Sequence, residues 1–219
     1  MMLIKKVYRH AKEAIWSRAH TRLCKKYRAR FHNQDVSIIS MNCIGGILYH
    51  DLGIQFQSPT INLFMRAKDY IKFCENLEHY LSIDKLIECC DPQIVEDRDY
   101  PIAWLGSEGD ILLYLVHYRT VAEAEKKWKE RNKRINWNNI VIICTDREGM
   151  TEELKDRFEG LPYNKVMFTN RPDAHHNSCF YIKGYEEEES VGIVTEHKGF
   201  KGYRPIDQYD WVVFLNNEM

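Results

Sequence analysis

The sequence predicts an α/β protein with a mostly parallel sheet and helices on both faces, a Rossmann-like three-layer arrangement. Short, nearly continuous apolar runs such as 140–144 are typical of strands that are covered on both faces. They alternate with segments such as 66–81, whose apolar residues recur at helical spacing. With 219 residues, 44% of them hydrophobic, the chain suffices for one large domain with a core of its own.

The predicted elements follow one another in a regular order, with short links between them. Strands are indicated by β-branched or apolar runs at 36–40, 54–56, 101–105, 111–116, 140–144, 163–169 and 179–182. Helices are indicated by periodicity, and in two cases by an N-cap threonine, at 47–53, 66–81, 120–134, 151–158 and 207–216.

A basic segment precedes this domain. Residues 1–31 carry ten basic side chains against one acidic side chain, whereas the rest of the chain carries 21 basic and 31 acidic ones. The segment has no Pro or Gly and is predicted to be one amphipathic helix, with an apolar stripe of Leu3, Ile4, Val7, Ala11, Ala14 and Ile15. We therefore divide the chain into a basic helical arm, 1–34, and a single α/β domain, 35–219, which we expect to fold without the arm.

The charge of the arm predicts an anionic partner. A basic amphipathic helix binds the anionic surface of a membrane, and packing on its own domain or on a second copy is an equal alternative. We do not expect a nucleic acid partner, because the rest of the chain is acidic and has no RNA or DNA motif. No apolar run is long enough to span a membrane, and the seven cysteines lie mostly in apolar patterns typical of reduced thiols. The predicted location is the cytoplasm, with the arm at the inner face of the cell membrane.

Polar side chains follow three of the predicted strands. Asn42 and Cys43 come after the first strand, His117 follows 111–116, and Asp146 follows 140–144. Because the carboxyl ends of parallel strands share one edge of a sheet, we expect these side chains to converge. Cys43 would then be a nucleophile favoured by the start of a helix, His117 its base, and Asp146 the group that orients the histidine. A purely structural role for all three is the alternative, and the residue types alone favour it.

The same region also suggests how a substrate is held. Gly45 and Gly46 allow backbone N–H groups to approach a phosphate, although they form no known nucleotide-binding motif. The candidate substrate-binding residues are Asn42, Gly45, Gly46, Ser58, Tyr118 and Arg119. No cysteine or histidine spacing predicts a metal site, and no motif identifies a cofactor.

Several stretches resemble a bacterial family labelled exopolysaccharide or capsule biosynthesis proteins. They are IISMNCIGGILYHDLG from residue 38, SPTINLFMRAKDYIKF from 58, LVHYRTVAEAEKKWKERNKRIN from 115, IVIICTDREG from 140 and the closing YDWVVFLN. Together they cover nearly everything from Val36 onward. The resemblance implies a role in a sugar-polymer pathway and supplies no catalytic residues.

Three hypotheses follow from the residues and the resemblance. The first is a membrane-surface transferase that moves a sugar or acyl group from an activated donor to a glycan or lipid-linked acceptor. The second is a cysteine-dependent hydrolase or acyltransferase that uses Cys43 and His117. The third is a non-catalytic partner that docks on a polysaccharide-assembly complex through the arm.

Overall fold

The computed structural model describes residues 2–95, 98–198 and 202–217, with side chains from residue 10 onward. The described strands are β1 (Ser37–Ser40), β2 (Leu86–Glu88), β3 (Ile102–Leu105), β4 (Ile111–Tyr114), β5 (Ile140–Thr145), β6 (Asn164–Thr169) and β7 (Cys179–Tyr181). A four-stranded parallel sheet has the order β1-β5-β6-β7, and a separate three-stranded antiparallel sheet has the order β2-β3-β4.

The helices are α1 (Met2–Arg30), α2 (Ile44–Leu52), α3 (Ala67–Glu75), α4 (Leu77–Leu81), α5 (Pro92–Val95), α6 (Val121–Asn132), α7 (Glu152–Glu159) and α8 (Trp211–Leu215), with a 3₁₀ turn at Pro205–Gln208. The two predicted N-caps are confirmed, because the hydroxyls of Thr120 and Thr151 accept from the N–H groups of Glu123 and Leu154. Among the described helices, none combines the length and the apolar character needed to cross a bilayer.

Both faces of the parallel sheet are covered, because neighbouring strand residues point to opposite sides. On one face, Ile38 and Val141 belong to a core shared with α1, α2 and α8. On the other face, Ile39 and Ile142 belong to a core shared with α3, α4, α6, α7 and the antiparallel sheet. The prediction of an α/β fold with a mainly parallel sheet is therefore confirmed.

Two of the predicted strands, 101–105 and 111–116, lie in the antiparallel sheet and not in the parallel one. The apolar run 111–116 contains β4, which pairs with β3 in an antiparallel hairpin in which Ile102 faces Tyr114 and Leu105 faces Ile111. Its apolar character comes from burial between two clusters, with Leu113 in the main core and Leu112 in a smaller one. The Rossmann-like three-layer arrangement is not confirmed, and residues 54–56, predicted as a strand, have no regular structure.

The second half of α1 packs against the α/β domain. Tyr27 and Phe31 are each 6% exposed and belong to the core that contains α2 and α8. Arg28 donates from Nε to the carbonyl oxygen of Asp51 (2.8 Å) and from Nη2 to that of His50 (3.1 Å). A boundary at residue 34 stays a prediction, but a cut there removes side chains that are buried in this structure.

Among the described side chains of α1, those of residues 10–15 are more exposed. Ala11, Ala14 and Ile15, from the predicted apolar stripe, are exposed to solvent. Leu3, Ile4 and Val7, its other members, have side chains outside the described residues. The described part of the stripe therefore faces away from the core, as a surface available to another molecule.

Candidate functional site

A cleft lies where β1 ends and α2 begins, at the carboxyl edge of the parallel sheet. It consists of two cavities that share Cys43 and Thr195. The first, about 210 Å³ and here named the apolar cavity, is lined by Met41, Asn42, Cys43, Ile44, Phe64, Met65, Thr145, Arg147, Glu148, Gly192, Ile193, Val194 and Thr195. The second, about 410 Å³ and here named the histidine cavity, is lined by His20, Cys43, Gly46, Ile47, His50, Asp51, Phe56, Asn62, His117, Thr195, His197 and Arg204.

Asn42 shapes the turn between β1 and α2. Its side-chain oxygen accepts from the N–H of Ile44 (3.2 Å), which satisfies one of the donors that lack a partner at a helix start. Its amide nitrogen donates to the hydroxyl of Thr145 at the end of β5 (3.4 Å). Asn42 therefore ties the two strand ends together while lining the apolar cavity.

Cys43 is the N-cap residue of α2 and faces both cavities. Burial raises the pKa of its thiol, which is opposite to the direction expected for an activated thiolate. His117 is exposed in the histidine cavity. Within the part of the chain that the structure describes, no hydrogen bond joins the Cys43 thiol to the His117 ring.

His117 lies at the cleft although the strand before it, β4, does not belong to the parallel sheet as predicted. It follows β4, which is bridged to Phe64 through two backbone hydrogen bonds of 3.0 Å. The neighbouring Met65 donates to the carbonyl oxygen of Met41 just beyond β1 (3.0 Å). The segment around residue 64 therefore carries the end of the antiparallel sheet to the carboxyl edge of the parallel sheet.

Asp146 lies outside the cleft. Its two carboxylate oxygens accept from the backbone N–H groups of Val191 and Asn170, each at 2.8 Å. Burial raises the pKa of Asp146 even though these two bonds favour the charged form. Asp146 thus holds two loops to the end of β5, and the structure brings together only Cys43 and His117 from the predicted triad.

The predicted substrate-binding residues divide into two groups. Gly46 lines the histidine cavity together with the start of α2. Gly45 is buried, and a Cβ there would lie 2.9 Å from the Cβ of Ser40, so this position permits close packing of α2 on β1.

Ser58, Tyr118 and Arg119 line neither cavity. The Ser58 hydroxyl is buried in contact with that of Thr60 (2.9 Å). The Tyr118 hydroxyl donates to the carbonyl oxygen of Ile61 (2.8 Å) and accepts from Arg131 (2.7 Å). Arg119 is exposed just before α6. Ser58 and Tyr118 therefore support the segment behind the cleft.

A buried charge cluster, which the sequence did not indicate, forms the floor of the histidine cavity. Asp51 and Arg204 have side chains 1% and 3% exposed, and their Oδ2 and Nη1 atoms lie 2.7 Å apart. The other edge of Arg204 bonds to Asp207 at 2.6 Å and 3.0 Å. The carboxylates of Asp51 and Asp207 therefore offset the charge of the guanidinium group.

The arm helix contributes to this floor. His20 Nε2 lies 3.0 Å from Asp51 Oδ1 and 3.4 Å from Cys24 Sγ. Burial lowers the pKa of His20, and the charge of Asp51 acts in the opposite direction. Burial, and then the charge of Asp51, raise the pKa of Cys24 to about 11. Residues of α1 thus belong to the site, in agreement with the alternative in which this helix packs on its own domain.

His197 completes this wall of the cavity. Its Nδ1 lies 2.8 Å from the carbonyl oxygen of Gly202, so we assign the proton to Nδ1 and a free lone pair to Nε2. The ring centroid is 5.4 Å from that of Trp16 and 5.5 Å from that of His20. Loop 191–198 and helix α1 therefore meet around the histidine cavity.

Fold and site together define the class of protein: an α/β protein with a two-part cleft at the carboxyl edge of its parallel sheet. The chain belongs to the family described as a domain of unknown function (DUF1919), whose model matches residues 15–216. It is also 32% identical over 211 residues to an uncharacterized protein of Haemophilus influenzae, an alignment that covers 96% of this chain and 98% of the Haemophilus protein. The family match begins within α1, as does the structural contact between arm and domain.

Proposed function

We propose that the protein is a group-transfer enzyme of exopolysaccharide or capsule assembly that binds an activated donor in the two-part cleft. The observation that carries this proposal is the junction of an apolar cavity and a histidine-lined cavity at Cys43, beside the start of α2. Pockets of this kind, apolar with a few convergent polar groups at the carboxyl edge of a parallel sheet, are the usual ligand sites of α/β proteins. The resemblance to the exopolysaccharide family supplies the substrate class.

The start of α2 suits the anionic part of a sugar donor. The N–H of Ile44 is taken by Asn42, and that of Ile47 by the carbonyl oxygen of Cys43 (3.1 Å). Helix geometry supplies no partner for the N–H groups of Gly45 and Gly46, and Gly46 lines the histidine cavity. A phosphate placed there would meet the positive end of the helix dipole.

His117 is the candidate general base in this scheme. It is exposed in the same cavity as Gly46, and imidazole is the side chain best suited to accept a proton near neutral pH. An acceptor hydroxyl between the ring and the donor would lose its proton to His117 as it attacks, and the bond to the donor's leaving group would break, with the electron pair going to that group, the phosphate at the start of α2 in a sugar donor. The apolar cavity would then hold the less polar part of the donor or acceptor.

A thermal-shift screen tests this proposal. The probes are nucleotide sugars, short-chain polyprenyl-phosphate sugars and acyl-CoA. A ligand at 100 times its Kd stabilises the native state by about 2.7 kcal/mol, which for a domain of this size raises Tm by roughly 5 to 11 °C. His117→Ala should reduce transfer activity, whereas His79→Ala, at an exposed site outside both cavities, should not. The absence of a shift with every donor class, or equal activity of the two variants, would contradict the proposal.

A cysteine-dependent hydrolase or acyltransferase is the second candidate, because Cys43 and His117 line the same cavity. In that case an acyl-enzyme at Cys43 would form during turnover and be visible by mass spectrometry. Cys43→Ala would abolish acyl transfer, whereas a sugar transferase would retain activity in this variant. The activity of the Cys43→Ala variant therefore distinguishes a sugar transferase from a cysteine-dependent enzyme.

We further propose that α1 contacts an anionic membrane. Ile15, Arg18, Ala19 and Arg22 form a shallow groove on this helix, and both arginines are exposed. Each basic residue near an anionic surface contributes about 1 kcal/mol, and salt weakens the attraction. The protein should co-sediment with vesicles rich in phosphatidylserine at low salt and dissociate at high salt. Equal binding to neutral vesicles would refute the electrostatic account.

A further inference from the structure

Three side chains of metal-binding type converge beside the histidine cavity, which two of them, His20 and Asp51, line. His20 and Cys24 lie four residues apart on α1, a spacing that places two side chains on one helix face. Asp51 comes from α2, which packs against α1. One ligand atom from each residue, the His20 ring nitrogen, the Cys24 sulfur and a carboxylate oxygen of Asp51, lies within 4.8 Å of the other two.

Two of the three separations between these atoms are close to those of a tetrahedral zinc site, and the third, between Cys24 and Asp51, is at most 4.8 Å. Bond lengths of about 2.0 to 2.3 Å to zinc imply edges of about 3.3 Å between a nitrogen and an oxygen ligand and about 3.6 Å between a nitrogen and a sulfur ligand. The observed separations from His20 Nε2 are 3.0 Å to Asp51 Oδ1 and 3.4 Å to Cys24 Sγ. Outward movements of a few tenths of an ångström would therefore open the cluster to an ion.

The neighbouring Arg204 does not exclude a cation. It contacts Asp51 through Oδ2 (2.7 Å), whereas Oδ1 faces His20. Asp207 bonds the other edge of the guanidinium group and offsets its charge. Carboxylates that bind metals are commonly fixed by a hydrogen-bond partner on the second oxygen. Arg204 lies beside this second oxygen as an ion-pair partner.

We propose that His20, Cys24 and Asp51 form a site for a divalent transition metal ion, with zinc the best match to the mixed nitrogen, sulfur and oxygen donor set. His20 and Asp51 lie in the wall of the histidine cavity, so a fourth position can open toward that cavity. Three protein ligands with one open position is the donor count of catalytic zinc sites. The site does not depend on the proposed transfer reaction, because metal binding is measured without a donor.

A second cluster of metal-binding residue types differs from this site, because its side chains are already paired with charged groups. Asp173, His176 and Cys179 also come within 4.8 Å of one another. Both ring nitrogens of His176 are engaged by carboxylates, Nδ1 by Asp173 and Nε2 by Asp156, each at 3.0 Å. Lys155 lies 3.4 Å from Asp173. This second cluster is an ion-pair network, and it supplies a matched cysteine for a control.

The test is metal binding by the full-length protein after treatment with a chelator. Cobalt(II) should bind with a stoichiometry of one and give the near-ultraviolet thiolate-to-cobalt absorption, and zinc should displace it. Cys24→Ser should abolish this absorption and weaken zinc binding at least about 10-fold. Cys179→Ser should leave both unchanged.

His20→Gln provides a second variant in case Cys24→Ser does not fold, which circular dichroism checks. It should weaken zinc binding to a similar degree while leaving the far-ultraviolet spectrum unchanged. Failure of the wild-type protein to bind cobalt or zinc at micromolar concentration would overturn the proposal. Persistence of the thiolate absorption in Cys24→Ser, or its loss in Cys179→Ser, would also overturn it.

Discussion

Arg204→Met should destabilise the protein strongly, because it leaves the buried carboxylate of Asp51 without its cationic partner. The two side chains are 3% and 1% exposed and 2.7 Å apart. Removing one partner of a buried ion pair costs about 3 to 5 kcal/mol, since the remaining charge stays away from water. For a domain of this size each kcal/mol lowers Tm by roughly 2 to 4 °C, so the expected loss is roughly 6 to 20 °C.

Arg157→Met is the matched control, measured in the same buffer by calorimetry and urea unfolding. Arg157 also contacts a carboxylate at 2.7 Å, that of Glu75, but these side chains are 37% and 31% exposed. An exposed pair contributes about 1 kcal/mol or less. The double variant Asp51→Asn, Arg204→Met should lose less than the sum of the single losses. Similar losses for Arg204→Met and Arg157→Met would refute the reasoning from burial.

Three further predictions concern packing, pH and thiol reactivity. Gly45→Ala should lower the free energy of unfolding, measured in urea, by about 1 to 3 kcal/mol, because its Cβ would lie 2.9 Å from the Cβ of Ser40. In the control Gly160→Ala, the nearest atom would lie 3.5 Å from the new Cβ, so the free energy of unfolding should change by less than about 1 kcal/mol. Burial lowers the pKa of His176, but its bonds to Asp156 and Asp173 outweigh this effect and raise the pKa above 6.5. The stability that the protonated ring provides is therefore complete below pH 6.5 and declines as pH rises through the folded pKa. In a series of Tm measurements between about pH 5 and about pH 9, His176→Gln should remove this decline. Because burial raises the pKa of the Cys43 thiol, iodoacetamide near neutral pH should label the exposed Cys90 first, as measured by mass spectrometry. If Cys43 is instead labelled faster, and His117→Ala slows that labelling, Cys43 acts as a nucleophile.

The parallel sheet could be predicted because its strands are short, apolar and bounded by polar turns. β1 and β5 lie where the β-branched runs indicated them, and the caps of α6 and α7 follow from their threonines. The placement of β4 could not be predicted in the same way. A continuous apolar run is typical of any strand buried on both faces, and it does not distinguish a parallel strand from the second strand of a hairpin.

Only those residues of the candidate site that directly follow a strand could be predicted from the sequence. Cys43 follows a buried strand, which is a local signal, and it does line the cleft. The pairing of Asp51 with Arg204 has no local signal, because the two residues are separated by most of the chain. The spacing of His20 and Cys24 on one helix was available in the sequence. Its significance depended on whether α1 packs on the domain, which the sequence left open.

The position of α1 links the two proposals about substrate and membrane. The same helix presents Ile15 and Arg18 to solvent and His20 to the histidine cavity. Five residues of helix span about 7.5 Å along the axis and turn by about 140°, so a membrane bound at Ile15 would lie on a different face of α1 from the cavity wall. An acceptor carried on a lipid would then be held near the cleft, on the other face of the same helix. Vesicle binding by α1 should therefore increase activity toward a lipid-linked acceptor and leave activity toward a water-soluble acceptor unchanged. An equal effect on both acceptors would show that membrane binding by α1 does not deliver the acceptor.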